Sequence, residues 1–88
     1  MEIIFMNSYL RALKKIKNAD LILDLNKAIE NVENAVTFSE ILNVKKLSGF
    51  SNCYRIKVNN YRIGLVLDNN VITFVQFEHR KDIYKKFP

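Results

Sequence analysis

The side chains best suited to chemistry in this chain are cations placed at alternating positions. Arg55 and Lys57 stand two residues apart in the segment CYRIKV, and Arg62 follows a short polar break. Alternate residues of a β-strand point to the same face, so Arg55 and Lys57 share one side of a strand. Cations fixed on one surface bind phosphate, and they stabilise the extra negative charge that forms when a phosphate ester is attacked. The spacing therefore indicates an anion site.

A tight turn at Asn59-Asn60 would bring Arg62 to the same face. A two-residue loop pairs Lys57 with Arg62 and Arg55 with Gly64. Like charges directly opposite each other destabilise a strand pair by up to about 1 kcal/mol, so this register favours an anion between the two cations. Gly64 would let a ligand backbone approach. The alternative is that the three cations extend into solvent, and a slip of one residue would move Arg62 to the other face.

The C-terminal segment supplies further candidates. His79 is the only histidine of the chain, and its side chain can transfer a proton near neutral pH. Tyr84 can stack on a nucleobase or pack against the body of the protein. The cations of this segment are Arg80, Lys81, Lys85 and Lys86.

Charge and composition narrow the classes of function. The 88 residues carry a formal net charge of +5, and residues 45–88 hold nine Lys and Arg against three Asp and Glu. This positive field suits a polyanion such as nucleic acid, although a solvated surface gives the same balance. One cysteine and one histidine exclude a disulfide framework, a cysteine-based zinc site and His-His metal motifs. We therefore expect no metal and no cofactor, and Cys53 is predicted to be a buried filler rather than a nucleophile.

The hydropathy pattern predicts where the protein acts. The apolar run near the N-terminus is short and has no basic residues before it, unlike a signal peptide. No stretch approaches the 18 or more apolar residues of a membrane span. We expect a cytoplasmic protein with no membrane partner.

The candidate residues need a scaffold, whose first half the sequence periodicity predicts to be mainly helical. The apolar run at Glu2–Met6 indicates a strand covered on both faces. A helix follows with Asn7 or Ser8 as its cap. Its inward-facing residues are Leu10, Leu13 and Ile16. A second helix has Asp20 as its cap. Its inward-facing residues are Ile22, Leu25, Ile29, Val32 and Val36.

The second half of the chain changes to a period of two. One more helical turn at residues 39–42 and a loop at residues 45–49 precede three strands, predicted at Cys53–Val58, Tyr61–Leu67 and Val71–Phe77. The fold class is therefore α+β in the order β-α-α-β-β-β, as a single domain of residues 1–88. An N-terminal helical hairpin packs on one face of a small twisted antiparallel sheet, and a basic C-terminal tail follows. The other face of the sheet stays free for chemistry.

Four blocks in order carry a resemblance to a known family. They are KLSG at 46–49, CYRIKV at 53–58, YRIG at 61–64 and HRKDIY at 79–84. In this order and spacing the chain resembles the RelE/ParE toxin superfamily, and most closely the RelE branch of type II toxin–antitoxin systems. The N-terminal helices agree with the family in length and number but share no specific motif.

The resemblance implies a fold similar to microbial RNases and a function as an mRNA interferase. Such a toxin cleaves translated mRNA in the ribosomal A site and so inhibits translation. A ribose 2′-OH attacks the adjacent phosphate, which gives a 2′,3′-cyclic phosphate and a free 5′-OH, and this endoribonuclease chemistry needs no metal. The implied partners are mRNA, the ribosome and a cognate antitoxin encoded by an adjacent gene, with which the toxin forms a hetero-oligomer.

The resemblance also implies roles for individual residues. Arg55 and Arg62 would clamp the phosphate, Lys57 would act as the base, and Arg80 or His79 would assist the leaving 5′-oxygen. Arg55 stands where some members have lysine, and it cannot be the base because arginine stays protonated. Tyr84 corresponds to the tyrosine of the family's C-terminal tail, which would stack on or orient a nucleobase. The expected RNA-binding residues are Lys45, Lys46, Arg55, Lys81 and Lys85.

Two other functions are compatible with the same superfamily. One is inhibition of DNA gyrase by a ParE-like protein that has no nuclease site. The other is a catalytically inactive member that only binds its antitoxin or nucleic acid. The basic hairpin together with Arg80 and Tyr84 favours the nuclease.

Overall fold

The computed structural model describes every residue from Met1 to Pro88, and it contains three α-helices and five β-strands. In chain order these are β1 (Glu2–Phe5), α1 (Asn7–Lys14), α2 (Ala19–Asn34), β2 (Val44–Lys46), β3 (Cys53–Val58), β4 (Tyr61–Asp68), β5 (Val71–His79) and α3 (Ile83–Lys86). A short 3₁₀ turn at Phe38–Glu40 joins α2 to β2. The predicted α+β class and the order of its main elements are confirmed.

The sheet has the strand order β1-β5-β4-β3-β2 and differs in two details from the expected one. β2 to β5 are antiparallel neighbours, but β1 runs parallel to β5, so the sheet is mixed. A parallel neighbour requires a long crossover, and the helices fall within the chain between β1 and β5. β1 is also an edge strand with Ile4 and Phe5 partly exposed, not a strand covered on both faces.

Two elements at the margins of the sheet were not predicted. β2 lies in the segment expected to be a loop, and it has only three residues, two of them lysines. Short edge strands rich in lysine are typical of sheet borders and leave almost no periodic signal. The tail likewise contains the short helix α3.

The predicted hairpin register is confirmed. Lys57 pairs with Arg62 and Arg55 pairs with Gly64 across the two-residue loop. Asn59 takes a φ of 58°, a left-handed conformation that asparagine adopts more readily than most residues. The register therefore places all three cations on one side of the sheet.

Helix α1 buries a partly different set of residues from the predicted one. Its N-cap position is Met6, which makes no side-chain cap, and the Ser8 hydroxyl instead donates to the Val75 carbonyl at 2.6 Å. Tyr9 and Ala12 are buried, whereas Leu10 is 41% exposed. Leu13 and Ile16 are partly buried against the core as predicted, so the prediction was wrong only at Leu10, beside which Tyr9 is buried instead.

The cap of helix α2 lies two residues before the predicted one. Asn18 is the cap, and its Oδ1 accepts a hydrogen bond from the Leu21 N–H at 3.1 Å, while Asp20 lies in the first turn. Leu25 and Val32 are buried as predicted, but Ile22 is partly exposed. The predicted fifth position, Val36, lies beyond the helix end and is 77% exposed.

Each face of the sheet carries an apolar cluster. The larger cluster lies on the helix side, where α1 packs on β5 and α2 on β3. Within it, burial raises the pKa of the Tyr9 phenol, whose hydroxyl has no hydrogen-bond partner. On the opposite side, the C-terminal segment partly covers the sheet. This smaller cluster comprises Leu47, Cys53, Ile83 and Phe87. Cys53 is therefore buried, as expected of a filler.

No helix of the structure is both long and apolar enough to cross a membrane.

Candidate active site

One face of the sheet carries its cations in two rows that run across neighbouring strands. In the first row Lys45 of β2 stands opposite Arg55 of β3, which in turn stands opposite Gly64 of β4. In the second row Lys57 stands opposite Arg62. We call this side of β2, β3 and β4, with Lys45, Arg55, Lys57 and Arg62, the basic face. Neither of the two ion pairs in the protein involves any of these four cations.

The guanidinium of Arg62 is fixed by the hairpin loop. Its Nη1 donates to the Asn59 carbonyl at 3.0 Å and to the Tyr61 carbonyl at 2.8 Å. Its cross-strand neighbour Glu78 does not pair with it, because that carboxylate accepts from Lys86 Nζ at 3.0 Å. Arg62 is thus held in place by backbone groups while its positive charge remains available to a ligand.

The pKa of Arg62 is influenced by several of the expected site residues. Partial burial, and then the charge of Arg55, lowers the pKa of Arg62 from its usual value. Arg80 acts in the same direction and Tyr84 in the opposite one. A guanidinium surrounded by like charges is a place where a bound anion is stabilised.

Two anchors bring Arg80 and Tyr84 to the basic face. The Arg80 N–H donates to the Asn60 carbonyl at 2.8 Å, which ties the start of the tail to the hairpin loop. At the other end, Ile83 and Phe87 are buried against the sheet. Tyr84, between these anchors, is 60% exposed.

The second anchor depends on the missing side chain of Gly64. A Cβ at this position would lie 2.6 Å from both Cγ and Cδ2 of Phe87. The space beside Gly64 is therefore filled by the protein's own Phe87 ring, and the expectation that a ligand backbone approaches there is wrong.

His79 lies on the other side of the sheet from the basic face. It pairs with Tyr61, and the two rings meet edge to face with centroids 5.4 Å apart. Its Nδ1 accepts a hydrogen bond from the Lys81 N–H at 3.2 Å. Of the two residues expected to assist the leaving 5′-oxygen, only Arg80 lies close enough to Arg62 to influence its pKa.

A groove adjoins the basic face. Its volume is about 460 Å³, and we call it the aromatic groove. It is lined by Lys45, Lys46, Leu47, Ser48, Phe50, Arg55, Tyr84, Phe87 and Pro88. Lys57 lies outside it, in a shallower hollow of about 280 Å³ that also includes Lys45 and Arg55. Lys81 and Lys85, which were expected to bind RNA, are exposed and lie outside the groove. The Lys85 Nζ lies 3.9 Å from Oδ1 of Asp82.

No group of three or more His, Cys, Asp or Glu side chains that could hold a metal ion is present.

Comparisons with known proteins identify the family. No protein-family model matches the sequence. Toxin RelE3 of Methanocaldococcus jannaschii is 34% identical over 89 residues, and the match covers 100% of both chains. The chain belongs to the RelE family of toxins.

Solved structures of RelE-like toxins share the fold. The RelE of a RelB–RelE antitoxin–toxin complex from Methanococcus jannaschii is 33% identical, with a TM-score of 0.80 over 97% of this chain and 99% of that chain. An archaeal RelE–RelB complex from Pyrococcus horikoshii gives a TM-score of 0.69 at 18% identity, covering 90% and 93% of the two chains. The YoeB dimer from Staphylococcus aureus gives 0.70 at 17% identity, covering 90% and 95%.

Sequence reasoning missed two residues that lie beside the basic face. Phe87 is 2% exposed and holds the tail on Gly64, a contact between distant positions that no local pattern reveals. Phe50 is 48% exposed and lines the aromatic groove. A signal for Phe50 did exist, since a large apolar ring stands among small residues in the loop segment SGFSN.

Proposed function

We propose that residues 1–88 form one toxin domain that cleaves translated mRNA in the ribosomal A site. The observation that carries the proposal is the grouping of Arg55, Arg80 and Tyr84 around Arg62, with no ion pair to any of the three arginines. Such a cluster suits a phosphodiester whose negative charge increases during the reaction. Because its substrate would be mRNA under translation, the protein would act in the cytoplasm.

The proposed reaction uses the RNA itself as the nucleophile. The ribose 2′-OH loses its proton to a base and its oxygen attacks the adjacent phosphorus. The bond from phosphorus to the 5′-oxygen of the next nucleotide breaks, and this oxygen takes up a proton. The products are a 2′,3′-cyclic phosphate and a free 5′-OH. No metal ion is required in this scheme, because protein side chains supply the charge stabilisation and the proton transfer.

We assign the roles from the positions on the basic face. Arg62 and Arg55 hold the phosphate and stabilise the phosphorane, as planar guanidinium groups suit bidentate contact with its oxygens. Lys57, directly opposite Arg62, is the candidate base. Arg80 serves the leaving 5′-oxygen in preference to His79, which lies on the other side of the sheet. Tyr84, exposed above the sheet, stacks on a base of the substrate.

We also propose that the partner is a cognate antitoxin encoded beside this gene. The related archaeal toxins were solved as complexes with RelB antitoxins. A face whose cations form no internal ion pair is a surface that an acidic antitoxin segment would complement. The two proteins would form a toxin–antitoxin hetero-oligomer.

The proposal is tested with a purified translation system stalled at a defined codon. Primer extension should reveal cleavage within the A-site codon by the parent protein, and Arg62→Ala should reduce the rate by at least about tenfold, the loss expected for one preorganised cation. Arg11→Ala, which removes an exposed cation on α1, is the matched control and should cleave at the parental rate. Equal cleavage by parent and Arg62→Ala would contradict the assigned site. Intact mRNA with gyrase-dependent DNA breaks would instead indicate a ParE-like inhibitor.

A further inference from the structure

The loop between β2 and β3 presents an aromatic ring that the proposed reaction does not use. Phe50 is 48% exposed, although the loop that carries it is held firmly at its base. Leu47 is buried and its N–H donates to the Cys53 carbonyl at 2.9 Å. The Phe50 N–H donates a hydrogen bond to the Leu47 carbonyl at 3.4 Å, and Gly49 adopts the φ of 84° that this turn needs. The loop therefore holds the ring at the surface instead of burying it.

Phe50 shares the aromatic groove with Tyr84. Its volume of about 460 Å³ lies within the range of small-ligand sites, roughly 300–1,000 Å³. Its charged side chains are the cations Lys45, Lys46 and Arg55, and no Asp or Glu side chain lines it. Exposed aromatic rings combined with backbone-tracking cations are the pattern by which proteins bind single-stranded nucleic acid.

The groove is continuous with the proposed reaction site. Arg55 belongs to both, and Tyr84, which lines the groove, raises the pKa of Arg62. A nucleotide next to the phosphate held by Arg62 and Arg55 would therefore reach the groove without leaving the protein surface. This continuity favours RNA over an acidic peptide as the occupant, because a peptide has no base to stack on the rings.

We propose that the aromatic groove binds the nucleobase of a nucleotide adjacent to the cleaved bond, with Phe50 and Tyr84 as its aromatic walls. This inference rests on the proposed function and adds a subsite to it. Phe50 has no hydrogen-bonding side-chain group, so it contributes affinity for any base. Ser48 and Tyr84 are the uncharged lining side chains that can hydrogen-bond to a base edge, and preference among bases depends on them.

The test measures RNA binding separately from cleavage. The probe is a short single-stranded RNA that carries a 2′-O-methyl group at the cut position, which blocks the attacking oxygen, and 2-aminopurine at each neighbouring position in turn. The parent should quench 2-aminopurine at one position, because stacking quenches its fluorescence. Phe50→Ala should remove this quenching and weaken binding by roughly fivefold or more, while Phe50→Tyr should restore both.

The control variant is Leu23→Ala, which truncates an apolar side chain that is likewise exposed but lies on α2, outside the groove. It should bind and quench as the parent does. The melting temperatures of Phe50→Ala and the parent should differ little, since Phe50 belongs to neither apolar cluster of the protein. Parental binding and quenching by Phe50→Ala, or no RNA binding by the parent, would overturn the subsite.

The subsite and the proposed reaction can fail independently. If the parent cleaves A-site mRNA but Phe50→Ala binds the probe equally well, only the subsite is wrong. If the probe shows Phe50-dependent stacking and the parent leaves mRNA intact, the groove binds RNA and the nuclease function is wrong.

Discussion

Replacing Gly64 by alanine introduces a methyl group where the ring of Phe87 already lies. The added Cβ would stand 2.6 Å from Cγ and Cδ2 of Phe87 and 3.0 Å from Cε2. These atoms belong to a rigid ring that is 2% exposed, so the ring cannot absorb the change by bending. We expect Phe87 to leave its site, and α3 to move with it.

The cost follows from the burial of Phe87. Overpacking a filled site destabilises a protein by about 1–3 kcal/mol, and complete exposure of a phenylalanine side chain costs about 1.5–3 kcal/mol. The free energy of unfolding of Gly64→Ala should therefore fall by about 1–3 kcal/mol. For a domain of this size that loss lowers the melting temperature by roughly 4–24 °C. Cleavage should fall as well, because Tyr84 and Arg80 depend on the anchored tail.

Thermal unfolding and A-site cleavage are measured for Gly64→Ala, Phe87→Ala and the double variant. In the Phe87→Ala background the new methyl group meets open space, so Gly64→Ala should cost almost nothing there. The two substitutions should thus be non-additive by about 1–3 kcal/mol. The reasoning is refuted if Gly64→Ala melts and cleaves like the parent, or if its cost is the same in both backgrounds.

Two further predictions concern residues on the helix side of the sheet. Tyr9→Phe should leave the free energy of unfolding unchanged or raise it by up to about 1 kcal/mol, because the buried hydroxyl has no partner, and a lower denaturation midpoint would contradict this. His79→Ala should retain cleavage within about threefold of the parent, whereas Arg80→Ala should lose at least about tenfold, as measured by single-turnover cleavage. The reverse order would assign the leaving 5′-oxygen to His79 instead of Arg80.

The alternating pattern predicted the basic face, because alternate residues of a β-strand must point to the same side of the sheet. Once Asn59-Asn60 was taken as a two-residue loop, the positions of Arg55, Lys57 and Arg62 followed. The same alternation could have placed His79. It stands two residues after the buried Phe77 and so shares the helix side, but the strand was expected to end at Phe77.

Other features depend on contacts that local patterns do not encode. β2 is stabilised by pairing with β3 and not by its own three residues. On α2, two apolar stripes have helical spacing, and the packing of the helix on the sheet buries Leu21 rather than Ile22. The anchoring of α3 requires Phe87 to meet Gly64, which is far away in sequence.

The central claim is that the cations of the basic face promote attack by the ribose 2′-OH. The most direct measurement replaces the single ribose at the cut position of A-site mRNA by 2′-deoxyribose and follows cleavage by the parent protein. The deoxy substrate should stay intact while the all-ribose mRNA yields a fragment ending in a 2′,3′-cyclic phosphate. Cleavage of the deoxy substrate at the same bond would contradict it.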